Sequence, residues 1–578
     1  MSWILGVVGQ IQEDLKRIIS TISDSVINVH EEKNLYLLSG GSKSTQVSVV
    51  NSEEGFIVVG NGIAPDEKKK FLSSEEWKQL FERRTDIYKL DGHFALVTWN
   101  KNSILFQTDI IGLRDIYLYR LSKNTILFST RIDWLQKISD AELDFQKFGS
   151  RWLLFSQITT ESVFKNVIRL VAGKSATINR QTLEIKLNEY NWLPDSNEIA
   201  DVELLFESEL KSVTTFPLFQ NTVSLSLSGG LDSRLLFSIL LNTPEKKWDA
   251  HSFGLVNHPD SLIAKEISQT FGIEHRQFYN PNADNIIAEL EKYLLQTIIN
   301  TSALSYLQLR HYSLLNESQK IIIDGAFGEI YRKEFLKKLR ILGFAPIKEK
   351  NINRLYELFL SPKPDFFSND IKKTMIEGAR IQIDELIDNL PDVEDIGINN
   401  YSNLLAIKTK LPNHFCCEQS RIDDIVKSYM PYVQPSILKY SFSVNTSGKN
   451  IFKKIIKRQR PELRRFPLVK GETVYPYYLN GIGMNIYKRL KEKFFRHTFR
   501  NEYIAIFKKL LLPYLNELLE TNQLYNSDIY NKNILRNYLK RANDEAGIET
   551  IIFLDWFLCF EIFYRQIKSS SLNIMKKK

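Results

Sequence analysis

The sequence predicts an α+β amino-terminal part built on a β-sandwich, followed by an α/β part with a parallel sheet and a helical carboxy-terminal region. Three patterns lead to this fold class. Short apolar runs separated by glycine-containing turns continue to about residue 190, strands and helices alternate from about residue 200, and helical spacing dominates after about residue 350. Alternating strands and helices of this length favour a parallel sheet.

The first part contains five predicted strands. Apolar and polar residues alternate along these runs and turn residues separate them, which is typical of hairpins in stacked antiparallel sheets. One helix is expected between them, at Ser74–Arg83. The predicted strands are Ile4–Gly9, Asn34–Lys43, Phe56–Gly62, His93–Asn100 and Ser103–Gly112.

The second part follows a boundary at Tyr190–Ser196, where an aromatic and proline-containing stretch precedes a helical pattern. This boundary divides the chain into a domain at residues 1–190 and a domain at residues 197–570. The predicted strands of the second domain are Thr222–Leu227, Trp248–Phe253 and Lys320–Ile323, and its first predicted helices are Asn197–Thr215, Arg234–Leu241 and Ser261–Phe271.

The composition is that of a globular protein and argues against disulfide-rich, membrane-spanning and nucleic-acid-binding classes. The 578 residues are 43% hydrophobic and 25% charged, as in ordinary globular proteins, and a net charge of +8 is too dilute to indicate nucleic-acid binding. Three cysteines cannot build a disulfide framework or a four-cysteine zinc site. Asp555 and Glu561 interrupt the most apolar run, Ile551–Phe563, which is too short to cross a bilayer. We therefore expect a cytoplasmic protein with no membrane or nucleic-acid partner.

A glycine-rich loop between a strand and a helix is the feature that indicates chemistry. The residues Ser228-Gly229-Gly230-Leu231-Asp232-Ser233 follow an apolar strand and lead directly into a helix. Two glycines let the backbone turn tightly and approach a ligand, and the next helix offers free N–H groups and a positive dipole end. Together with two serine hydroxyl groups, this arrangement suits a phosphate. A Gly-Gly turn with an aspartate cap is the alternative interpretation.

Asp232 indicates how the phosphate would be bound. A carboxylate repels a bare phosphate, so its presence in the loop implies a Mg²⁺ ion between the carboxylate and the phosphate oxygens. The Walker pattern G-x-x-x-x-G-K-[ST] is absent. The spacing instead resembles the pyrophosphate loop (PP-loop) of enzymes that cleave ATP between its α- and β-phosphates.

Further segments extend this resemblance over nearly the whole chain. They are Asp91–Val97, Gly112–Tyr119 with Phe128-Ser129, Arg169–Gly173, His251–Gly254 with Asp260 and Ala264, Met430–Tyr432, and Lys470-Gly471. Together with the loop they resemble the asparagine synthetase B family. The resemblance implies an Ntn-hydrolase-like glutaminase domain followed by an ATP-pyrophosphatase domain of the adenine nucleotide alpha hydrolase type.

The resemblance also implies roles for individual residues. ATP would lie over the loop, and Mg²⁺ would be bound by Asp232 and Glu329. Lys470 would be catalytic, because an ammonium group near an adenylated carbonyl stabilises its charge and that of the departing pyrophosphate. The implied nucleotide-binding residues are Leu227, Ser228, Gly229, Gly230, Asp232, Ser233, Phe253, Asp324 and Gly325.

Two departures from the family pattern affect the expected activity. The family begins M-C-G-I-x-G, and Gly6-Val7-Val8-Gly9 aligns with G-I-x-G, so Leu5 stands where the nucleophilic cysteine belongs. Leucine has no nucleophile, and Ser2 is out of register. We therefore expect no glutaminase activity, as in the similar β-lactam synthetases and lasso-peptide cyclases, where the amine comes from the substrate itself.

The second departure lies at Ile323–Ile330, where the family has S-G-x-G-x-D-E. Aligned without a gap, Glu329 falls on the aspartate of this pattern and Ile330 on its glutamate, so the acidic pair is reduced to Glu329. Ala326 stands in place of the family's acid/base glutamate. Asp324 can bind metal or serve as a turn residue, and Glu329 is expected to carry the second metal contact.

These patterns predict an ATP-dependent, AMP-forming ligase that adenylates a substrate carboxylate and joins it to an amine. Its expected partners are ATP and a small-molecule or peptide substrate, with a precursor-peptide processing protein as a further candidate. Two alternatives remain. One is a catalytically degenerate binding or scaffold protein, suggested by the altered metal loop. The other is an RNA-modifying PP-loop enzyme, suggested by the pI of 8.9, although the cysteines that such enzymes commonly use are missing.

Overall fold

The computed structural model places most of the chain and shows three main sheets. The structure describes residues 2–23, 25–41, 46–51, 54–65, 69–83, 85–194, 200–245, 247–279, 285–310, 312–317, 320–445, 450–471, 473–479, 483, 486–487, 490, 498–520, 528–545 and 547–575. Among these residues, no helix is both long enough and apolar enough to span a bilayer.

The amino-terminal part is a sandwich of two six-stranded antiparallel sheets. The sequence predicts the stacked antiparallel sheets but only five of the twelve strands described here. The first sheet has the order β10-β8-β9-β1-β3-β2 and the second has the order β12-β11-β7-β6-β5-β4. Apolar side chains of both inner faces pack between the sheets. The strands are β1 Trp3–Gly9, β2 Val26–Glu32, β3 Leu35–Gly40, β4 Gln46–Asn51, β5 Glu54–Ile63, β6 Asp91–Trp99, β7 Ser103–Thr108, β8 Ile116–Ser122, β9 Thr125–Ser129, β10 Val167–Leu170, β11 Lys174–Asn179 and β12 Ile185–Glu189.

A five-stranded parallel sheet forms the centre of the second part, which confirms the parallel pairing expected from strand–helix alternation. Its order is β15-β14-β13-β16-β17, with the phosphate-loop strand β13 in the middle. A small antiparallel hairpin, β18 with β19, lies beside it. The strands are β13 Val223–Ser226, β14 Trp248–Phe253, β15 His275–Phe278, β16 Ile321–Asp324, β17 Ser428–Tyr429, β18 Leu468–Lys470 and β19 Thr473–Tyr475.

Helices cover the parallel sheet and make up most of the chain after residue 330. The expected helices at 74–83, 234–241 and 261–271 are present with shifted ends, and the one expected from Asn197 begins at Val202, with residues 195–199 outside the described part. The α-helices are Glu13–Ser20, Ser74–Glu82, Ile132–Ile138, Phe145–Leu153, Val202–Thr215, Leu231–Leu241, Pro259–Thr270, Ile286–Thr297, Ala303–Leu309, Tyr312–Glu317, Lys337–Leu342, Phe344–Lys348, Ile352–Phe359, Asn369–Asp388, Val393–Lys410, Cys416–Asp423, Pro435–Leu438, Ile451–Gln459, Thr498–Leu510, Leu512–Glu520, Lys532–Glu545 and Ile548–Met575.

The sandwich and the helical region share one apolar core. Helix Phe145–Leu153, in the first part of the sequence, packs against helix Asn369–Asp388, and their backbones touch at two glycines. A Cβ atom on Gly149 would lie 2.2 Å from the carbonyl oxygen of Met375, and one on Gly378 would lie 2.0 Å from that of Gln146. Only glycine permits this approach, so the two halves of the chain meet through a backbone contact.

Buried polar groups also join the two parts. Asp423, at the end of helix Cys416–Asp423, accepts a hydrogen bond from Arg114 at 2.9 Å and lies 3.0 Å from Nε2 of His93. All three side chains are buried. The pKa of Asp423 is lowered: burial alone would raise it, but His93, Arg114 and a hydrogen bond from Gln419 together outweigh that effect. The carboxylate is therefore held ionised between two residues of the sandwich.

Candidate active site

The phosphate loop lies at the carboxyl edge of the parallel sheet, where open α/β sheets bind their ligands. In register, Ser226 of β13 stands between His251 of β14 and Asp324 of β16. The chain leaves β13 through Leu227 and the loop and enters a helix at Leu231. This strand–loop–helix order is the one the sequence predicts, except that the helix begins three residues earlier than expected. Asp232 and Ser233 therefore lie in the first helical turn.

The two serines of the loop bond to each other and close it. The hydroxyl of Ser233 accepts a hydrogen bond from the backbone N–H of Ser228 at 3.1 Å, and the two hydroxyl oxygens lie 3.1 Å apart. The Ser228 hydroxyl also accepts from the N–H of Gly230 at 3.1 Å. Gly230 precedes the helix in extended conformation without a side-chain cap. These contacts fix a narrow turn directly above the free N–H groups of the helix N-terminus.

Gly229 is held from both sides. Its N–H donates to Asp260 at 2.9 Å, and its carbonyl oxygen accepts from Arg234 and from the N–H of Val469, each at 3.1 Å. A Cβ atom at this position would lie 2.4 Å from Val469. The loop thus needs glycine here because the hairpin of β18 and β19 packs directly against it.

Arg234 supports the loop from below. Its side chain is fully buried and donates to the carbonyl oxygens of Phe466 at 2.8 Å and Pro467 at 2.6 Å, as well as to Gly229. Burial lowers its pKa to about 10, against the opposing effect of Tyr477. This arginine therefore ties the loop to the segment that leads into β18.

Asp232 forms a two-point ion pair with Arg332. The guanidinium Nε and Nη2 atoms donate to the two carboxylate oxygens at 2.8 and 2.7 Å. Burial raises the pKa of Asp232 to about 6; Arg332 acts to lower it, while Glu329 adds to the rise. Tyr432 donates to the backbone carbonyl of Asp232 at 2.9 Å. The loop carboxylate is thus partly buried, fixed in direction and paired with a permanent cation.

The turn after β16 packs against this carboxylate. A Cβ atom on Gly328 would lie 2.7 Å from the carboxyl carbon of Asp232, and one on Gly325 would lie 3.0 Å from the backbone nitrogen of Ser233. Asp324 accepts a hydrogen bond from the N–H of Ala326 at 2.8 Å, which makes it the turn residue that one reading of the sequence expects. Glu329 follows in a short 3₁₀ turn, Gly328–Arg332, which Phe327 enters at a φ of +70°.

Lys470 lies on the rim of the site. It is the last residue of strand β18. Its Nζ atom is 2.8 Å from Glu334, and its side chain is 43% exposed. Burial acts to raise the pKa of Glu334, but hydrogen bonds from Lys337 and Lys470 lower it to about 2. The residue before Lys470, Val469, donates its backbone N–H to the carbonyl of Gly229 at 3.1 Å, which places Lys470 next to the loop.

Leu227 and Phe253 lie at the carboxyl ends of adjacent strands. The backbone of Leu227 is bonded to β14, donating to the carbonyl of His251 at 2.8 Å and accepting from Ser252 at 2.7 Å. The ring of Phe253 is partly buried and lies 4.8 Å from the ring of Tyr312. Both residues therefore stand at the carboxyl edge of the sheet, which Asp324 reaches on the other side of β13. The sequence predicts nucleotide contacts at these positions.

The side chains present fit a divalent cation. Mg²⁺ is usually held by one or two carboxylates together with substrate phosphates. Asp232 and Glu329 supply two carboxylates, and Arg332 uses only part of the accepting capacity of Asp232, because a carboxylate offers about four lone-pair sites. In the described part of the chain, no group of three or more His, Cys, Asp or Glu side chains is arranged to hold a metal ion. A cation here needs substrate oxygens as further ligands.

The expected nucleophile position of the first domain is buried in a strand. Leu5 lies in β1, where it is opposite Leu38 of β3 and Ser129 of β9. It is 1% exposed and belongs to the apolar core. Ser2 is also buried, and its hydroxyl accepts from the N–H of Gly60 at 3.0 Å. Leu5 and Ser2 are therefore both enclosed in the fold, the first in the apolar core and the second in a hydrogen bond to the backbone.

Sequence reasoning missed the groups that surround the loop. Arg332 is separated from Asp232 by 100 positions, and nothing in the local spacing points to their contact. The sequence analysis includes Asp260 in the family resemblance without its contact to the loop, and it gives Arg234 only as a helix start; both follow a strand of the parallel sheet within a few residues. That position, near the carboxyl end of a sheet strand, was the available signal.

Comparisons with known proteins agree with the geometry over part of the chain. Residues 213–325 match the model of the asparagine synthase family. This stretch begins in the helix before β13 and ends at Gly325, so it contains the loop. The match confirms the resemblance for this part, and it supports an ATP-dependent ligase that forms carbon–nitrogen bonds. The search of curated proteins gave no match.

Two solved structures share only a low overall likeness. One is glutamine phosphoribosylpyrophosphate (PRPP) amidotransferase from B. subtilis complexed with ADP and GMP, at 9% identity and a TM-score of 0.23, covering 48% of this chain and 90% of that one. The other is described as the allosteric regulatory enzyme of purine biosynthesis, at 10% identity and a TM-score of 0.22, covering 59% of this chain and 77% of that one. Likeness at this level carries no functional argument.

Proposed function

We propose that the protein is an ATP-dependent ligase that activates a carboxylate as an acyl-adenylate and joins it to an amine, releasing AMP and pyrophosphate. The observation that carries this proposal is the glycine-rich loop Ser228–Ser233 at the carboxyl edge of the parallel sheet, in the stretch that matches asparagine synthases. The loop presents helix N–H groups and two serine hydroxyl groups where a pyrophosphate would lie.

The reaction needs two bond exchanges. A carboxylate oxygen of the substrate attacks the α-phosphorus of ATP, and the bond to the β-phosphate breaks, releasing pyrophosphate. An amine nitrogen then attacks the carbonyl carbon, the bond to the AMP oxygen breaks, and the amine loses a proton. Mg²⁺ held by Asp232 and Glu329 would supply positive charge near the pyrophosphate. The chain contributes the free N–H groups at the N-terminus of helix Leu231–Leu241 for the phosphates, and the exposed ammonium of Lys470 at the rim.

Residues 197–570 would form the ligase domain, and residues 1–190 an Ntn-type domain without glutaminase activity. Support for the second statement comes from Leu5, whose backbone nitrogen is a peptide nitrogen inside β1. An amino-terminal nucleophile needs a free α-amine as its base. The amine would then come from the substrate, as in a peptide or natural-product cyclase, and a precursor-peptide processing protein would be a partner.

Product analysis tests the proposal. ATP is incubated with the protein, Mg²⁺ and a panel of amino acids and short peptides, and the nucleotides are separated by chromatography. AMP and pyrophosphate should form with an accepted substrate, and Asp232→Ala should abolish their formation. ADP as the main product would contradict the adenylation mechanism.

One observation favours a second function. Arg332 already neutralises Asp232 with two hydrogen bonds, as expected if the loop binds nucleotide without turnover in a scaffold protein. The same incubation separates the two functions when it is paired with calorimetric titration of a non-hydrolysable ATP analogue. Tight binding without AMP formation from any substrate would favour the scaffold.

A further inference from the structure

A cavity of about 370 Å³ lies away from the phosphate loop, at the junction of five chain segments. Its walls come from the end of helix Phe145–Leu153 and the residues after it, from the turn at residues 299–300, from the loop at 361–364, from the turn at 413–414 and from helix Ile548–Met575. This volume is at the lower end of the range for small-molecule sites. Within the described part of the chain, no Asp or Glu side chain lines the cavity.

Two cations stand side by side at this cavity. Arg151 is 6% exposed, and its guanidinium donates to the backbone carbonyls of Ile298 at 2.7 Å and Thr297 at 2.6 Å. Lys363 donates to the carbonyl of Arg151 at 2.5 Å. Among the described residues, no carboxylate forms an ion pair with either cation. A buried charge without a counter-ion is costly, and two neighbouring like charges increase that cost.

The surroundings hold Lys363 in place but do not neutralise it. Its Nζ atom lies 5.1 Å from the ring centre of Trp556 and 5.6 Å from that of Trp152. Burial, assisted by the charge of Arg151, lowers the pKa of Lys363 to about 7. One of its three N–H groups is used by the backbone, so two remain for a ligand. The donors of Arg151 are occupied by protein acceptors, so it contributes a fixed charge.

We propose that this cavity is a binding site for a small oxyanion, a carboxylate or a phosphate, held by hydrogen bonds from Lys363 and by the charge of Arg151. The anion supplies the negative charge that the protein does not place there. The site is independent of the proposed ligase activity. One ring contact links the cavity wall to the turn after β16: Asn413 and His414 share a helical turn with Phe415, whose ring lies 5.3 Å from that of Phe327.

Anion binding should weaken as pH rises through the pKa of Lys363, because only the ammonium form donates and attracts. The other ionisable groups that face the cavity come from separate elements. Arg151 stays charged, and His414 lines the cavity from the turn at residues 413–414. Lys410, at the end of the helix before that turn, acts on the pKa of His414. Glu418, the acid that acts on His414, is paired with Arg421 at 3.2 Å. The affinity for acetate, which stays a monoanion over this range, should therefore fall at least fivefold between pH 6 and pH 8.5.

Thermal unfolding of the full chain tests the site. The unfolding midpoint is measured against increasing phosphate, and separately against acetate, with chloride keeping the ionic strength constant. A saturable rise with either anion is expected for the unmodified protein and for Lys373→Met, which removes an exposed lysine elsewhere. In Lys363→Met the apparent Kd should rise at least tenfold. The anion that saturates at the lower concentration identifies the ligand class.

A second measurement uses the unmodified protein, so that it does not depend on the variant folding. Reductive methylation at pH 7.5 is followed by mass spectrometry of each lysine. The binding anion should slow methylation of Lys363 and leave that of Lys373 unchanged. The proposal is overturned if neither anion gives a saturable rise, if Lys363→Met responds like Lys373→Met, or if Lys363 gains no protection.

Discussion

Lys470 is the residue whose proposed role can be tested with least disturbance to the fold. It is 43% exposed and its contact is a rim ion pair with Glu334, and such pairs contribute little to stability. Lys470→Ala should therefore fold and bind nucleotide normally but lose amide formation by at least a hundredfold, about 2.7 kcal/mol of transition-state stabilisation. The measurement is amide yield and nucleotide affinity with the accepted substrate.

Lys337→Ala is the matched control for Lys470. Lys337 also pairs with Glu334, so its removal disturbs the same carboxylate without removing the proposed catalytic ammonium. It should retain amide formation. Equal activity losses in both variants would show that Lys470 acts only through Glu334.

Asp232 and Arg332 should behave as one energetic unit. Removing one partner of a buried ion pair leaves an uncompensated charge and costs roughly 3–5 kcal/mol. We expect less here, because the side chains keep 16% and 18% exposure. Asp232→Asn and Arg332→Gln should each lower the thermal midpoint, and the double variant should lose less than the sum. The coupling free energy should be about 1–3 kcal/mol.

The exposed pair Lys348–Glu394 is the control for this cycle. Its side chains are 51% and 56% exposed, and the same cycle with Lys348→Met and Glu394→Gln should give a coupling close to zero. Additive losses at Asp232 and Arg332 would mean that the bidentate contact does not hold the loop in solution.

At the residue scale, the sequence predicts what is local and misses what is distant. The loop residues Ser228–Ser233 are contiguous, so strand, glycines and helix start can be read directly from their order. Arg332 and Glu334 reach the site through a turn about a hundred residues later, and no periodicity encodes that approach. The sequence therefore predicts the phosphate loop but not the electrostatic surroundings of Asp232.

The contact between helices Phe145–Leu153 and Asn369–Asp388 gives a prediction at the scale of elements. Gly378→Ala places a methyl group 2.0 Å from a backbone oxygen, a distance that a backbone shift must relieve. Overpacking of this kind costs typically 1–3 kcal/mol, so the thermal midpoint should fall. Gly547→Ala is the control, since no atom lies within 4 Å of the added methyl group. Equal midpoints for both variants would contradict the close helix contact.

Some helices and strands were not predicted because they lack the apolar pattern that marks a half-buried element. Helix Ile132–Ile138 buries six of its seven residues, including Asp133 and Gln136, so it has no polar face from which to recognise it. Strand β2, Val26–Glu32, ends in His30, Glu31 and Glu32, so its apolar alternation is too short to indicate a strand. Both were missed in the sequence, whereas strands with apolar inner faces, such as β5 and β6, were predicted.

For the whole molecule, the buried Leu5 predicts a protein that releases no ammonia from glutamine. Leu5→Cys should not create the activity, because the thiol would lie in the apolar core and its own backbone nitrogen would remain a hydrogen-bonded peptide nitrogen. The measurement is ammonia release from glutamine by the unmodified protein and by this variant. Steady release that survives Ser2→Ala would reveal a nucleophile elsewhere in the chain.

The shared core predicts that the sandwich does not fold alone. Phe148, Trp152 and Leu153 pack in one apolar cluster with Phe366, Phe560 and other residues from the second half of the chain. Cutting the chain exposes these side chains, and burying a large apolar side chain is worth about 1.5–3 kcal/mol. It also removes Asp423 from the buried Arg114 and His93, which leaves charge without its partner.

A fragment of residues 1–194 should therefore lack a cooperative thermal transition and near-ultraviolet circular dichroism. Co-expression with residues 195–578 should restore both, because the two pieces can rebuild the common core and the Asp423 contacts. The Asp423→Asn variant of the second piece should pair more weakly, since it weakens the polar link while leaving the apolar surface intact. A sharp melting transition from the isolated fragment would instead show that residues 1–194 contain a self-sufficient core, and that the helical region only covers it.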